Sequence, residues 1–214
     1  MFAEINPYVA KIVIAARGGD SIRKISKKIR ESYGWTYKWV LALEAIGALK
    51  RNGQAIQINR NNSFYKEMKR LIVLSSATIA LNDAYLLPNL AGLEYAFTST
   101  DAVFIWAKGG YNIGRSRDSY PVFIEVVEKD KAAWVGYFSG LGISYSFKNE
   151  KKKGIYFVIS RRTEIEKEYC DDIPVLPLAK TVEWAKKYRF NFQPALEMLD
   201  ELYPPQMEAT YSQP

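Results

Sequence analysis

Apolar positions recur at helical spacing through the first fifty residues and then change to strict alternation. Asn6-Pro7 followed by Tyr8, Val9, Ile12, Val13 and Ile14 predicts a first helix, capped by Asn6, opened by Pro7 and ended by Gly18-Gly19. Asp20 is placed to cap a second helix over residues 21–30. There Ile22, Ile25 and Ile29 share one face, and Arg23, Lys24, Lys27, Lys28 and Arg30 occupy the rest. After Gly34 a third helix is expected over about 35–48, with Trp39, Val40, Leu43 and Ile46 turned inward and Thr36, Tyr37 and Lys38 at its exposed start. Asn52-Gly53 between residues 48–51 and the alternating run 54–59 predicts a two-stranded hairpin.

A further capped helix is expected over 63–75, with Phe64, Met68, Leu71 and Ile72 on one side. Beyond about residue 85 the pattern becomes β-rich. Residues 102–106 and 121–127 read as two strands separated by Gly109-Gly110 and Gly114, and residues 132–141 as a short helix. Residues 143–147 and 154–159 read as a strand pair around Lys151, Lys152 and Lys153, and residues 178–189 and 194–203 as closing helices. The class is α+β. The expected organisation is a first domain over 1–62, a connecting helix over 63–80, an α+β domain over 81–203 and a flexible polar tail over 204–214.

Composition narrows the chemistry. The chain has no histidine and a single cysteine, so Ser-His-Asp and Cys-His catalysis and Cys/His-rich zinc sites are excluded. Cys170, beside Asp171-Asp172, reads as part of a surface turn. Many Lys and Glu with few Gln is a composition met in thermophile proteins. No apolar run is long enough to span a membrane, and Met1-Phe2-Ala3-Glu4 is not the start of a signal peptide, so a cytoplasmic protein without a membrane partner is expected. Charge is uneven: residues 1–70 hold 14 Lys and Arg against 5 Asp and Glu, whereas residues 71–214 hold 16 against 18. A net +9 in the first third points to a polyanion, with a solvated basic face as the alternative.

Helix, basic helix, helix and hairpin, with Leu-Glu-Ala-Ile-Gly-Ala-Leu-Lys-Arg-Asn-Gly over residues 43–53 joining the last two, resembles the winged helix-turn-helix domains of bacterial and archaeal transcription regulators. The resemblance implies double-stranded DNA as partner. By position, Trp35, Thr36, Tyr37 and Lys38 at the start of the third helix would meet the bases, Arg23, Lys24 and Lys27 would hold phosphates, and Lys50, Arg51, Asn52 and Arg60 would supply the wing contact. Packing or interface aromatics are the alternative reading of Trp35, Tyr37 and Trp39, with platforms for unpaired bases a lesser one. The helix over 63–75 is the expected seat of a homodimer contact.

In the second domain, Gly109-Gly110-Tyr-Asn-Ile-Gly114-Arg-Ser-Arg-Asp118-Ser119 looks like a worn version of the nucleotidyltransferase pattern, in which two carboxylates two residues apart hold magnesium. Here Asp118 is followed two places on by Tyr120, and the next strand offers only Glu125; Arg115 and Arg117 either bind an anion or pair with Asp118 and Glu125, and the pairing is favoured. No catalytic residue, metal or cofactor is therefore expected. With the segment starting Asp172-Ile-Pro-Val-Leu-Pro and the helix over 194–203, the order of elements is similar to AbiEi-type antitoxins, with a degenerate nucleotidyltransferase-like second domain. That resemblance implies a DNA-binding autorepressor and a cognate toxin protein as partner. Two other readings stand beside it: a divergent magnesium-dependent nucleotidyltransferase using Asp118 and Glu125, and a protein-interaction module of a mobile element.

Overall fold

The computed structural model describes residues 6–76, 79–113, 115–116 and 118–204, and its architecture is mixed α+β. The chain divides into two compact units. The first comprises residues up to 93 together with 133–143, and the second comprises 94–132 with the chain from 144 onward.

The first unit opens on three short helices. In α1 (Pro7–Ala15) the Asn6 side chain accepts hydrogen bonds from the backbone N–H groups of Tyr8 and Val9, each at 3.1 Å, as its position before Pro7 predicts. In α2 (Ile22–Ile29) the cap is Ser21, whose hydroxyl accepts from Lys24 N at 3.2 Å. Asp20, expected in that role, is drawn instead into the interior by three donors described below. Ser32 caps α3 (Tyr33–Ala45), which therefore starts ahead of Trp35 and carries Gly34 in its first turn.

Strands β1 (Leu49–Asn52) and β2 (Ala55–Ile58) pair antiparallel, with Leu49 opposite Ile58 and Asn52 opposite Ala55. The turn thus falls on Gly53-Gln54, one residue later than Asn52-Gly53, and Gly53 sits at φ 60°, a conformation suited to glycine. Ile12, Ile25, Ile29, Val40, Leu43 and Ile56 meet in a core closed to solvent. Ile46, expected in that stripe, is exposed because the helix ends at Ala45.

Helix α4 (Ser63–Ser75), capped by Asn62, turns Met68 and Ile72 inward and leaves Phe64 and Leu71 exposed. Helix α5 (Leu81–Ala91) has no counterpart among the expected elements; it lacks a side-chain cap and contains Pro88. Helix α7 (Lys131–Gly140) returns from later in the chain, and its Tyr137 hydroxyl donates to the Leu87 carbonyl at 2.7 Å. This packing moves the division to residues 93 and 94, away from 62 and 80.

The second unit is a six-stranded mixed sheet in the order β5-β6-β4-β3-β8-β7. Its strands are β3 (Tyr95–Phe97), β4 (Ser119–Val127), β5 (Tyr145–Ser146), β6 (Gly154–Arg162), β7 (Glu168–Cys170) and β8 (Ile173–Val175). Strands β4 and β6 run parallel from Ser119 opposite Gly154 to Val127 opposite Arg162. Helix α6 (Ser99–Trp106) lies between β3 and β4, and α8 (Leu178–Lys187) and α9 (Arg189–Leu202) close the unit.

Two expectations fail here. Residues 102–106 are helical, and a short run of Ala, Val, Phe, Ile and Trp buried on most sides carries no period that separates helix from strand. Strand β5 pairs with β6 in parallel, Tyr145 opposite Phe157, so Lys151, Lys152 and Lys153 lie on a longer connection and not at a hairpin tip. Of the expected tail, residues 205–214 lie outside the described residues, as do Gly114 and Arg117.

Candidate nucleic-acid interface

The start of α3 presents aromatic rings and cations together. Tyr33 and Tyr37, one helical turn apart, stack with ring centroids 6.0 Å apart, and the Arg51 guanidinium lies 5.6 Å from the Tyr37 ring. On the adjoining side Lys38 Nζ lies 4.7 Å from the Trp35 ring, which itself stacks on Tyr8 at 5.4 Å. Tyr33, Trp35, Tyr37 and Lys38 are all exposed. Thr36 is not: it is 1% exposed, and its hydroxyl donates to the Ser32 carbonyl at 2.9 Å. The expectation that Thr36 meets bases is therefore corrected. Three residues after Tyr33 the helix has turned that side chain onto the core.

A groove of ≈ 430 Å³ runs between the start of α2, the start of α3 and the hairpin tip. Arg23, Tyr33, Tyr37, Arg51 and Gln54 line it, so it brings three expected residues together with two, Tyr33 and Gln54, that no motif singled out. The i, i+4 spacing of Tyr33 and Tyr37 is the signal that would have found the first of these.

The basic face of α2 is smaller than its sequence suggests. Arg23 and Lys27 are exposed and make no ion pair with a described residue. Lys24, also exposed, reaches Asp20 Oδ1 at 2.9 Å. Lys28, expected on the solvated face, is buried, with Nζ 2.6 Å from Asp20 Oδ2 and 3.2 Å from the Ala15 carbonyl. In the hairpin Lys50 and Gln57 sit opposite one another on an exposed face, and Asn52 is exposed. Arg51 points the other way: Nε donates to Glu44 Oε2 at 2.7 Å and its backbone N–H to Oε1 at 3.1 Å. These hydrogen bonds hold the Glu44 carboxyl below its ordinary value and push Arg51 above its own. Arg60 does not join this groove; it lines a separate cavity with Arg17, Lys66 and Lys69.

In the second unit the two carboxylates considered for magnesium stay apart. Asp118 is exposed in the turn before β4, while Glu125 is buried six residues along that strand from Ser119, about 20 Å further on. Glu125 pairs with Arg162 at 3.1 Å, and Arg115 pairs with the buried Asp101 at 2.6 Å, so the expected pairing of Arg115 with Asp118 or Glu125 is replaced. Asp101 also accepts from Phe123 N at 2.7 Å, which ties α6 to β4. Cys170 is buried, not in a surface turn, with Lys108 Nζ 3.2 Å from its sulfur. Among the described residues no group of three Asp, Glu or Cys is placed to hold a metal ion, and no helix is long and apolar enough to cross a membrane.

No protein-family model, no curated protein and no solved structure matches this chain.

Proposed function

We propose that the chain is a winged helix-turn-helix protein that binds double-stranded DNA sequence-specifically and regulates transcription, acting as an antitoxin-like autorepressor. The observation that carries this reading is the exposed start of α3. Tyr33 and Tyr37 line one groove there with Arg23 of α2 and Arg51 of the hairpin, and Lys27, Lys38 and Lys50 are exposed within the same segment of net +9. Side chains at the N-terminal end of such a helix reach base edges, and flanking cations neutralise phosphates. Tyrosine hydroxyls, Gln54 and Lys38 supply hydrogen bonds for base edges, whereas Arg23, Lys27 and Lys50 supply charge without sequence information. The antitoxin role and the toxin partner rest on the order of elements alone.

The test is a titration of the full chain with a duplex from its own upstream region and with a scrambled duplex, at two salt concentrations. The full chain is used because α5 and α7 belong to the same compact unit as α1–α4. Preference for the upstream duplex, with affinity falling steeply as salt rises, supports the reading. Absence of duplex binding at low salt overturns it.

A further inference from the structure

Within the first unit a second cavity, of ≈ 590 Å³, opens among α1, the end of β2, α4 and α7. Its cationic lining residues are Arg17, Arg60, Lys66 and Lys69, and no carboxylate is among the described residues that line it. Tyr65 and Tyr137 add aromatic surface, with the Arg17 guanidinium 5.9 Å from the Tyr137 ring, and aliphatic side chains of α1 and β2 fill the spaces between.

Four like charges around one concavity repel one another. Arg17 is held in place by hydrogen bonds from its Nη1 to the carbonyls of Ile14 and Ala16, at 2.6 and 3.0 Å, which satisfy donors without neutralising charge. Lys69 is half-buried and makes no ion pair with a described residue. Burial, followed by the charges of Arg17 and Arg60, pushes its ammonium below the ordinary lysine value. An arrangement that costs stability when empty and offers converging donors to an anion is characteristic of binding sites. The volume falls in the range of small-molecule sites, and apolar walls with a few convergent polar groups suit a ligand with a flat apolar body.

We propose that this cavity binds a phosphate-bearing small molecule of the nucleotide class. The phosphates lie against Arg17, Arg60, Lys66 and Lys69, and the apolar body packs against Tyr65 and Tyr137. The site is distinct from the α3 groove and does not depend on DNA binding.

Isothermal titration of the full chain with adenosine triphosphate, inorganic pyrophosphate and adenosine tests the proposal. Saturable binding of the triphosphate is expected, with adenosine at least about tenfold weaker. Lys69→Gln and Arg60→Gln should each weaken the triphosphate about tenfold or more. Arg60 and Lys66 are exposed, so Arg60→Gln and Lys66→Gln decide the matter if Lys69→Gln fails to fold. No saturation by the triphosphate or pyrophosphate at millimolar concentration overturns the proposal, as does binding that all three substitutions leave unchanged. A parallel duplex titration separates the sources of phosphate. Duplex affinity lost in Arg60→Gln, with no nucleotide bound by the parent chain, assigns the cavity to the DNA backbone and also overturns the proposal.

Discussion

The ammonium of Lys28 lies 2.6 Å from the carboxylate of Asp20, and both side chains are closed to solvent, at 8% and 2% exposure. Asp20 also accepts from the Arg17 backbone N–H at 2.9 Å and from Lys24 at 2.9 Å. One buried carboxylate thereby binds the end of α1 to both ends of α2. It explains why a residue placed to cap α2 has left that task to Ser21.

Removing one member of this pair leaves a buried charge unmatched. Asp20→Ala should cost about 3–5 kcal/mol of unfolding free energy, whereas Asp20→Asn with Lys28→Met should cost less than Asp20→Ala alone. Urea unfolding of the two variants checks this. The pair also makes stability depend on acid. Burial by itself would raise the Asp20 carboxyl, but the hydrogen bonds from Lys28 and Lys24, and then the Lys28 charge, outweigh it and hold the group below its ordinary 3.8. A carboxyl depressed by folding contributes fully above its unfolded value, and the contribution disappears as pH falls through the lower folded value. Unfolding free energy should therefore fall more steeply below about pH 4 in the parent chain than in Asp20→Asn.

Gly92 follows α5 with φ 65°, and a β-carbon there would lie 2.4 Å from Lys28 Cε and 2.9 Å from Lys28 Nζ. The neighbouring Asn89 donates to the carbonyls of Lys27 and Lys28 at 3.1 and 2.6 Å. Gly92→Ala thus carries the left-handed penalty of about 1–2 kcal/mol and displaces a lysine that cannot leave Asp20 cheaply. Thermal unfolding should show a loss larger than that penalty, and a loss of that size or less would show that Lys28 yields freely.

If the start of α3 and the groove beside it hold DNA, the residues there separate into two kinds. Arg23→Glu and Lys38→Ala should weaken duplex binding, and each cation withdrawn from a phosphate should lower the salt slope by about one unit. Thr36→Val should leave duplex recognition unchanged while lowering stability by about 1 kcal/mol, since it breaks only the buried bond to Ser32. A Thr36→Val protein that is stable but has lost its sequence preference would show that α3 is used differently from its exposed face.

Asp101 and Asp118 offer a sharper contrast in the second unit. Asp101 is fully buried and engages both Arg115 and the Phe123 amide, so Asp101→Ala should cost about 3–5 kcal/mol. Asp118 is exposed in a turn, and Asp118→Ala should stay within about 0.5 kcal/mol of the parent chain. Nucleotide incorporation by the parent chain that Asp118→Ala abolished would overturn the non-catalytic reading.

Local signals were legible wherever a few neighbouring residues decide the outcome. Asn6-Pro7 opens α1, the capped run from Ser63 makes α4, the Ile22, Ile25, Ile29 stripe makes α2, and an Asn-Gly step marks the hairpin to within one residue. Strand β4 and helices α7 and α8 lie close to their expected places for the same reason. The uneven charge, the missing histidine and the single cysteine were likewise complete in the sequence. Helix α5 was hidden because Pro88 and a missing cap disguise it locally, and it holds through Leu87 and Leu90, which partners elsewhere in the chain bury.

Tertiary structure alone decided which charges remain at the surface and which strands become neighbours. Lys28 and Lys27 are adjacent and chemically identical, yet one is buried against Asp20 and the other faces solvent, because an α-helix rotates consecutive side chains by about 100°. Arg51 is bound to Glu44 from the preceding helix, and β5 lies parallel to β6, neither of which any local pattern encodes. The four cations of the second cavity come from the end of α1, the segment after β2 and α4, separated by up to fifty-two positions, from Arg17 to Lys69. Periodicity is set by the backbone and survives in sequence, whereas convergence of distant side chains is set by packing and exists only once the chain has folded.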